Sequence, residues 1–387
     1  MPVINVPQPE FMEDEEIAIF SDAVGKFFQQ HAPEKRVEKW REDGMVEREF
    51  WNEAGAAGIL GVSVPEEYGG HGGDFRHDMV SLDQQAKHEV DGFGASLHNT
   101  IILPYLVRHG TEEQKQKYLP KLVTGELVSA IAMTEPGVGS DLQSITTTAL
   151  KDGNGYRING SKTYISSGQT ADFIVVVAKT DPNERAAGIS LMLLETEGAE
   201  GFQRGKKLDK IGQDAADTSE LFFDDVFVPA ENVLGGVEGK GFYQLMGELP
   251  QERLVIAMGA ATAIEKALDV TVEYVKNRKA FGQTIWDFQN TQFVLADLKA
   301  RGTAGRVFVN DCIAKLLKGE LDVATASMAK YWLTELQSEV VDKCLQLHGG
   351  AGYINDYPIA KMFRDGRITR IFGGSNEVMK MLIARSM

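Results

Sequence analysis

The sequence predicts an α+β fold, and three changes of residue periodicity predict it. Apolar residues recur at helical spacing from residue 11 to about 127, alternate with a period of two from about 128 to 237, and return to helical spacing from near 240 almost to the end. That order of helices, strands and helices lacks the alternation of a parallel sheet. A chain of 387 residues suits roughly two to three domains. The expected boundaries are an all-helical domain at 1–127, a β-domain at 128–237 and a helical domain at 238–387.

Glu16, Ile17, Ile19 and Phe20 open the first helix, and Ala23, Phe27 and Phe28 continue its apolar face. The glycine-rich stretch 67–73 breaks the pattern and predicts a long loop. Thr111-Glu112-Glu113-Gln114 predicts a capped helix start, because the hydroxyl accepts an orphan N–H and the polar N3 side chain reaches back. In the middle region, Tyr156, Ile158, Phe173–Val177 and Ile189–Leu194 are rich in β-formers. Asp152-Gly153-Asn154-Gly155 is a hairpin turn, since Asn and Gly tolerate positive φ. Short strands with frequent turns predict a small sandwich or barrel. No solenoid-length repeat or low-complexity tract is present.

Composition excludes several classes. Acidic residues outnumber basic ones, 56 to 40, for a net charge of −16. Such a field repels phosphate backbones and anionic lipid, so neither nucleic acid nor membrane is an expected partner. The 2 cysteines, Cys312 and Cys344, form no CxxC pair and suit a reducing compartment. The 7 histidines contain no HExxH, and no metal site is expected. Apolar runs such as 173–178 fall far short of the ~18 residues of a membrane helix. With no signal or transit peptide visible, the expected location is a bacterial cytoplasm, or the mitochondrial matrix for a matured eukaryotic chain.

GxGxxG, GxxxxGK[ST] and GxSxG are all absent. Four other segments carry the signal. Met133-Thr134-Glu135-Pro136-Gly137-Val138-Gly139-Ser140-Asp141 combines glycines that let a ligand approach the backbone with hydroxyl donors and a run of N–H groups suited to an anion; it is equally an ordinary Pro-Gly turn. In Arg278-Lys279-Ala280-Phe281-Gly282-Gln283 the arginine fork suits a pyrophosphate, or serves as a dipole partner at a helix end. His348 of Gln346-Leu347-His348-Gly349-Gly350-Ala351-Gly352-Tyr353 reads as a packed helix-end residue or as a ligand. Gly373-Gly374-Ser375-Asn376-Glu377 alone is a turn.

Together these segments resemble the acyl-CoA dehydrogenase family, in its order and at its spacing, from about residue 11 to 384. Lys240-Gly241-Phe242-Tyr243 and Leu249-Pro250-Gln251-Glu252-Arg253-Leu254 look most like its long-chain members. The resemblance implies an N-terminal helical domain, a middle β-barrel or sandwich and a C-terminal four-helix bundle. It implies a homotetramer, built as a dimer of dimers, with FAD between the β-domain and the bundle and partly held by a neighbouring subunit. It implies an acyl-CoA substrate oxidised to the trans-2-enoyl-CoA in fatty-acid β-oxidation, with electron-transfer flavoprotein as the acceptor.

Site residues follow from the resemblance position by position. Met133 and Thr134 meet the flavin pyrimidine ring, and Ser140 the FAD phosphate and the CoA arm. Tyr164 stands where the family usually has Trp, and Ser166 where it usually has a Thr near flavin N5. Arg278, Phe281 and Gln289 contact FAD across the subunit interface; Gln346, Leu347, His348, Gly349 and Gly350 contact the FAD of the adjoining subunit; Ser375, Asn376 and Glu377 also contact FAD. Tyr243, Pro250, Arg253, Gly373 and Gly374 join Ser140 at the substrate.

Many family members carry the catalytic glutamate where this chain has Gly373, which cannot abstract a proton. Long-chain and isovaleryl-type members place it on a helix, at the position of Glu252. A carboxylate in a dry pocket approaches the weak acidity of a thioester α-proton, and hydrogen bonds to the thioester carbonyl stabilise the developing enolate-like charge. The β-hydride then passes to flavin N5. Without the resemblance, Pro250 at N1 and Glu252 at N3 form an ordinary helix start. If the helix begins near Gly241 instead, Pro250 breaks a mid-helix bond and aims Glu252. The alternatives are a branched short-chain (isovaleryl-like) dehydrogenase, a flavin oxidase or oxygenase, a DNA-associated relative that the acidic charge argues against, and an inactive scaffold.

Overall fold

The computed structural model describes residues 2–387. The chain forms two compact units, one of residues 19–210 and 214–248, the other of residues up to 18, 211–213 and 249–387.

The first unit opens with α1 (Glu15–His31), α2 (Glu34–Asp43), α3 (Arg48–Ala56) and α4 (Phe75–Lys87). The first of these begins in the other unit and ends in this one. Val24, Phe27 and Phe28 are buried on α1 with Trp40, Phe50, Trp51 and Phe93 in one aromatic cluster. Ile19 departs from the expected face and is exposed, because the buried stripe passes through Ile17 and Val24. A short helix, α5 (Ala95–Leu97), leads through a π-helical turn (His98–Ile102) into α6 (Leu103–His109). Thr111 caps α7 (Glu112–Val123) in a capping box with Gln114, as the sequence predicts.

Strands β1 (Ser129–Ala132), β2 (Thr148–Asp152), β3 (Gly155–Ser166), β4 (Phe173–Lys179), β5 (Ile189–Glu195), β6 (Phe202–Lys207) and β7 (Thr218–Pro229) form one sheet in the order β1-β4-β2-β3-β7-β6, with β5 on the other edge of β4. Asp152 pairs with Gly155 across the predicted hairpin turn. The sheet is mostly antiparallel, but β1 and β4 run parallel, a pairing that the β2–β3 hairpin between them makes possible. Alternation along β4 divides two cores. Phe173, Val175 and Val177 pack with Leu103, Leu106, Tyr118 and Leu122 of the helices. Ile174, Val176 and Ala178 join Ile158, Leu221, Phe223 and Val226 in the interior of the curled sheet. Burial on both faces is why β4 and β5 read as nearly continuous apolar runs, broken in β5 by Ser190.

The second unit is helical. Helix α8 (Gly241–Asn277) enters it at Leu249, and a two-residue hairpin of β8 (Lys279–Ala280) and β9 (Gln283–Thr284) follows. Then come α9 (Gln289–Leu317), α10 (Val323–His348), α11 (Pro358–Gly366) and α12 (Asn376–Arg385). Arg306 of α9 bridges Glu265 and Thr262 of α8, Arg301 of α9 pairs with Glu339 of α10, and Arg253 of α8 donates to Ser327 of α10. Among the described residues no helix is long and apolar enough to cross a membrane.

Candidate active site

In the helical unit the site begins with α8. The helix starts at Gly241, not at Pro250, so the proline lies inside it. A proline has no N–H to give the carbonyl four residues back and crowds that carbonyl, which perturbs the turn ahead of Glu252. Gln251, Glu252 and Arg253 are all buried, and Glu252 is only 5% exposed. Burial works against the charge of Arg253, and the Glu252 carboxylate supports it. One guanidinium nitrogen of Arg253 donates to Ser327 Oγ at 3.3 Å, and Nε has no partner.

Gly373 faces the same helix. A Cβ built on it would lie 2.3 Å from Ile256 Cδ1, and its φ of +64° disfavours any side chain. Ile256 stands one turn beyond Glu252. The loop position without a side chain is therefore beside the helix that carries the buried carboxylate.

The Gly373–Gly374 turn is held from below by Lys330 of α10, whose ammonium is fully buried. Its Nζ donates to Gly374 O at 2.8 Å and to Asn376 Oδ1 at 2.9 Å. Burial and the Arg253 cation push Lys330 down to about 8, against Glu335 and Glu377. Asn376 Nδ2 donates in turn to Glu335, and Ser375 caps α12 through Val378 N. Glu377 is exposed in the first turn of α12.

The ends of α8 and α10 meet at Tyr274. Its ring stacks on His348 at 4.2 Å, its hydroxyl donates to His348 O, and its carbonyl accepts from Arg278 N. His348 Nδ1 donates to Cys344 O, a geometry that leaves Nε2 as the acceptor nitrogen of the neutral ring. Burial lowers the His348 pKa. Gln346 is exposed and Leu347 half-buried, while Gly349 and Gly350 have open space where a Cβ would stand. Phe281 is 96% exposed with φ of +52°, at the tip of the β8–β9 hairpin beside exposed Arg278. Gln289 is exposed at the start of α9.

In the sheet-bearing unit, Met133 and Thr134 follow β1 and lie beside β3. Thr163 N donates to Thr134 O at 2.9 Å, and Lys162 Nζ donates to Met133 O at 2.9 Å. The β3–β7 register slips between Lys162 and Ile165, and Tyr164 sits in that irregularity with φ of +60° and 69% exposure. Ser166, two residues on, is exposed as well. Ser140 is exposed in the loop after β1, where Gly137 and Gly139 have no neighbour at their Cβ positions. Tyr243 is exposed on the first turn of α8.

The structure thus gathers Met133, Thr134, Tyr164 and Ser166 in one unit, and joins His348 to Arg278 through Tyr274 in the other. Glu252, Arg253, Gly373 and Gly374 share the α8–α10 region. In the sheet-bearing unit, the exposed ring of Tyr164, the hydroxyls of Ser140 and Ser166 and the open backbone at Gly137 and Gly139 suit a planar group with a phosphate arm. Sequence reasoning passed over Lys162, Lys330, Tyr274 and Ile256, and gave Glu135, though inside the first of the four segments, no role of its own. Only Lys162 left a signal: a charged residue in phase with the inward-facing Tyr156 and Ile158 of β3.

Comparison with known proteins accords with this geometry. Family profiles described as Acyl-CoA dehydrogenase match in three parts: the N-terminal domain at residues 14–126, the middle domain at 130–226 and the C-terminal domain at 239–387. The mouse (Mus musculus) long-chain specific acyl-CoA dehydrogenase, mitochondrial, is 48% identical over 95% of this chain and 85% of its own. Isovaleryl-CoA dehydrogenase of Pongo abelii is 39% identical over 94% of this chain and 86% of its own. The crystal structure of an acyl-CoA dehydrogenase from Geobacillus kaustophilus superposes with a TM-score of 0.93 at 47% identity, covering 96% of this chain and 98% of that one. The chain belongs to the acyl-CoA dehydrogenase family of FAD-dependent oxidoreductases.

Proposed function

We propose that the protein is a long-chain acyl-CoA dehydrogenase in which Glu252 removes the α-proton. The observation that carries this reading is a buried carboxylate on α8 beside a loop, at Gly373, that has no side chain to offer. The greater identity to a long-chain relative than to an isovaleryl one favours long substrates.

In this reading Met133, Thr134, Tyr164 and Ser166 bind the flavin ring. Ser140, Arg278, Phe281, Gln289, Gln346–Gly350 and Ser375–Glu377 hold the rest of FAD. Tyr243, Pro250, Arg253, Gly373 and Gly374, with Ser140, line the acyl-CoA. Glu252 takes the proton from Cα onto a carboxylate oxygen, and Arg253 supplies a fixed positive charge next to it. Bound FAD supplies the acceptor for the hydride that leaves Cβ, and the product is the trans-2-enoyl-CoA. Burial of residues 251–253 keeps bulk water from competing for the proton. Electron-transfer flavoprotein is the proposed acceptor, and a homotetramer the proposed assembly.

The test is an anaerobic titration with palmitoyl-CoA and, separately, isovaleryl-CoA, followed by flavin absorbance. Stoichiometric bleaching by palmitoyl-CoA with little change from isovaleryl-CoA is expected. The reverse pattern makes the enzyme a branched short-chain dehydrogenase, and bleaching by neither contradicts the reading.

A further inference from the structure

Beneath the Met133–Thr134 segment lies a buried ion pair to which the proposed chemistry assigns no role. Lys162 has no solvent exposure and Glu135 is 4% exposed. Lys162 Nζ donates to Glu135 Oε1 at 3.0 Å and to Met133 O at 2.9 Å. The Glu135 carboxylate also accepts from Thr147 N at 2.9 Å, and from Thr146 N and Thr146 Oγ1 at 2.7 Å each. Two backbone bonds between Glu135 and Val138 close the turn beyond it. Each charge is therefore fixed in position, with the cation on the Met133 side and the anion toward residues 146–147.

A buried ion pair is an expensive way to hold a loop. Stripping water from both ions offsets most of their attraction, and an apolar pair of similar volume does the packing work as well. Burial alone opposes ionisation of Glu135, yet Lys162 and the bonds from Thr146 and Thr147 hold its pKa down at about 2. Burial pushes Lys162 down to about 8, against the attraction of Glu135, and its Nζ donates to a carboxylate and a carbonyl, the partners an ammonium takes.

The placement of the cation has a chemical consequence. Met133 O and Thr134 N–H belong to one peptide unit. An ammonium bonded to the carbonyl polarises that unit and makes its N–H a stronger donor. Reduction of a flavin adds negative charge to its pyrimidine ring, and a donor or a cation near that ring favours the reduced form.

We propose that Lys162 and Glu135 are positioning residues that tune the flavin: Lys162 fixes and polarises the Met133–Thr134 peptide against the pyrimidine ring, and Glu135 moderates its charge. This rests on the reading above that Met133 and Thr134 meet that ring.

The test is the midpoint potential of the bound flavin, measured by equilibration with reference dyes in wild type, Lys162→Met, Glu135→Gln and the double variant. Lys162→Met leaves an anion and is expected to lower the potential. Glu135→Gln leaves a cation and is expected to raise it. The double variant is expected to return toward wild type. A purely structural pair gives shifts of one sign, or none, and that result overturns the proposal. So does loss of flavin from all three variants with helix and sheet content retained. If one single variant does not fold, the sign of the other and the return of the double variant decide. A wild-type protein that holds flavin and is bleached by acyl-CoA, with variants of unchanged potential, overturns this inference alone. A wild type without flavin overturns the functional reading too.

Discussion

Gly373 and Ile256 stand against each other: a Cβ on the glycine would come within 2.3 Å of Ile256 Cδ1. Ile256 and Glu252 are four residues apart on α8, on one helical face. Any side chain at 373 must displace Ile256 and also adopt a φ of +64°. Backbone conformation and the Ile256 side chain thus both act against a side chain at 373, on the loop beside the helix that carries the buried Glu252.

That packing predicts the outcome of moving the carboxylate. Glu252→Gln/Gly373→Glu is expected to regain little dehydrogenation, because the left-handed backbone at 373 strains any side chain and the tip of Ile256 must swing aside to admit it. Adding Ile256→Ala opens the space, and partial recovery of flavin bleaching by acyl-CoA is expected. The positive φ still costs on the order of 1 kcal/mol, so recovery is incomplete. Equal recovery with and without the Ile256 change contradicts the steric account.

Pro250 gives a second prediction. It lies within α8, two residues before Glu252. Pro250→Ala restores the backbone donor and relieves the clash with the preceding turn, so thermal stability is expected to hold or rise. If the proline aims Glu252, turnover falls severalfold while flavin stays bound. Unaltered turnover refutes a role for the proline.

Two buried groups set opposite pH dependences of stability. Burial pushes the Asp78 carboxyl up to about 7, against a hydrogen bond from Ser63 and with the Asp74 charge adding to the rise. Between its ordinary 3.8 and about 7, the folded chain holds a proton that the unfolded chain has lost, so rising pH destabilises the fold. Burial pushes His98 down to about 4, while its Nε2 donates to Leu122 O and its Nδ1 accepts from Ser129. Between 6.5 and about 4 the unfolded chain takes up a proton that the folded chain refuses, so falling pH destabilises it. Asp78→Asn is expected to stabilise the protein above pH 7, by up to roughly 4 kcal/mol, and to confer nothing near pH 4. Denaturant unfolding across that range checks it. A gain independent of pH contradicts the assignment.

The hairpin tip gives a fourth. Phe281 holds a left-handed backbone conformation with almost its whole side chain exposed. Phe281→Gly relieves backbone strain and removes little packing, so the fold is expected to be as stable or more so. If the ring contacts FAD, flavin retention on dilution drops severalfold. Equal retention removes Phe281 from the cofactor site.

Much of this was legible in the sequence because its causes are local. The Thr111–Gln114 capping box spans one turn, and the β2–β3 hairpin is set by Gly153 and Asn154. The β-formers of β4 and β5 marked strands, and the structure shows why they run together: both faces are buried. What was hidden depends on partners distant along the chain. Lys162 and Glu135 are 27 residues apart, and Lys330 and Asn376 are 46 apart, with no shared periodicity to link them. The start of α8 was ambiguous for a different reason: Pro250 followed by Glu252 imitates a helix N-terminus, yet Leu245 before it and Leu254 after it are both buried on one continuous helix. Ile19 misled by hydrophobicity alone, since it falls off the stripe that Ile17 and Val24 define.

The central claim is that Glu252 is the base, and its direct test is the anaerobic palmitoyl-CoA titration of Glu252→Gln beside wild type. The account predicts that the variant keeps its flavin and its visible spectrum, binds the acyl-CoA, and bleaches at least about a thousandfold more slowly, a barrier increase of roughly 4 kcal/mol. Bleaching at the wild-type rate would contradict it and return Glu252 to the role of an ordinary buried residue of α8.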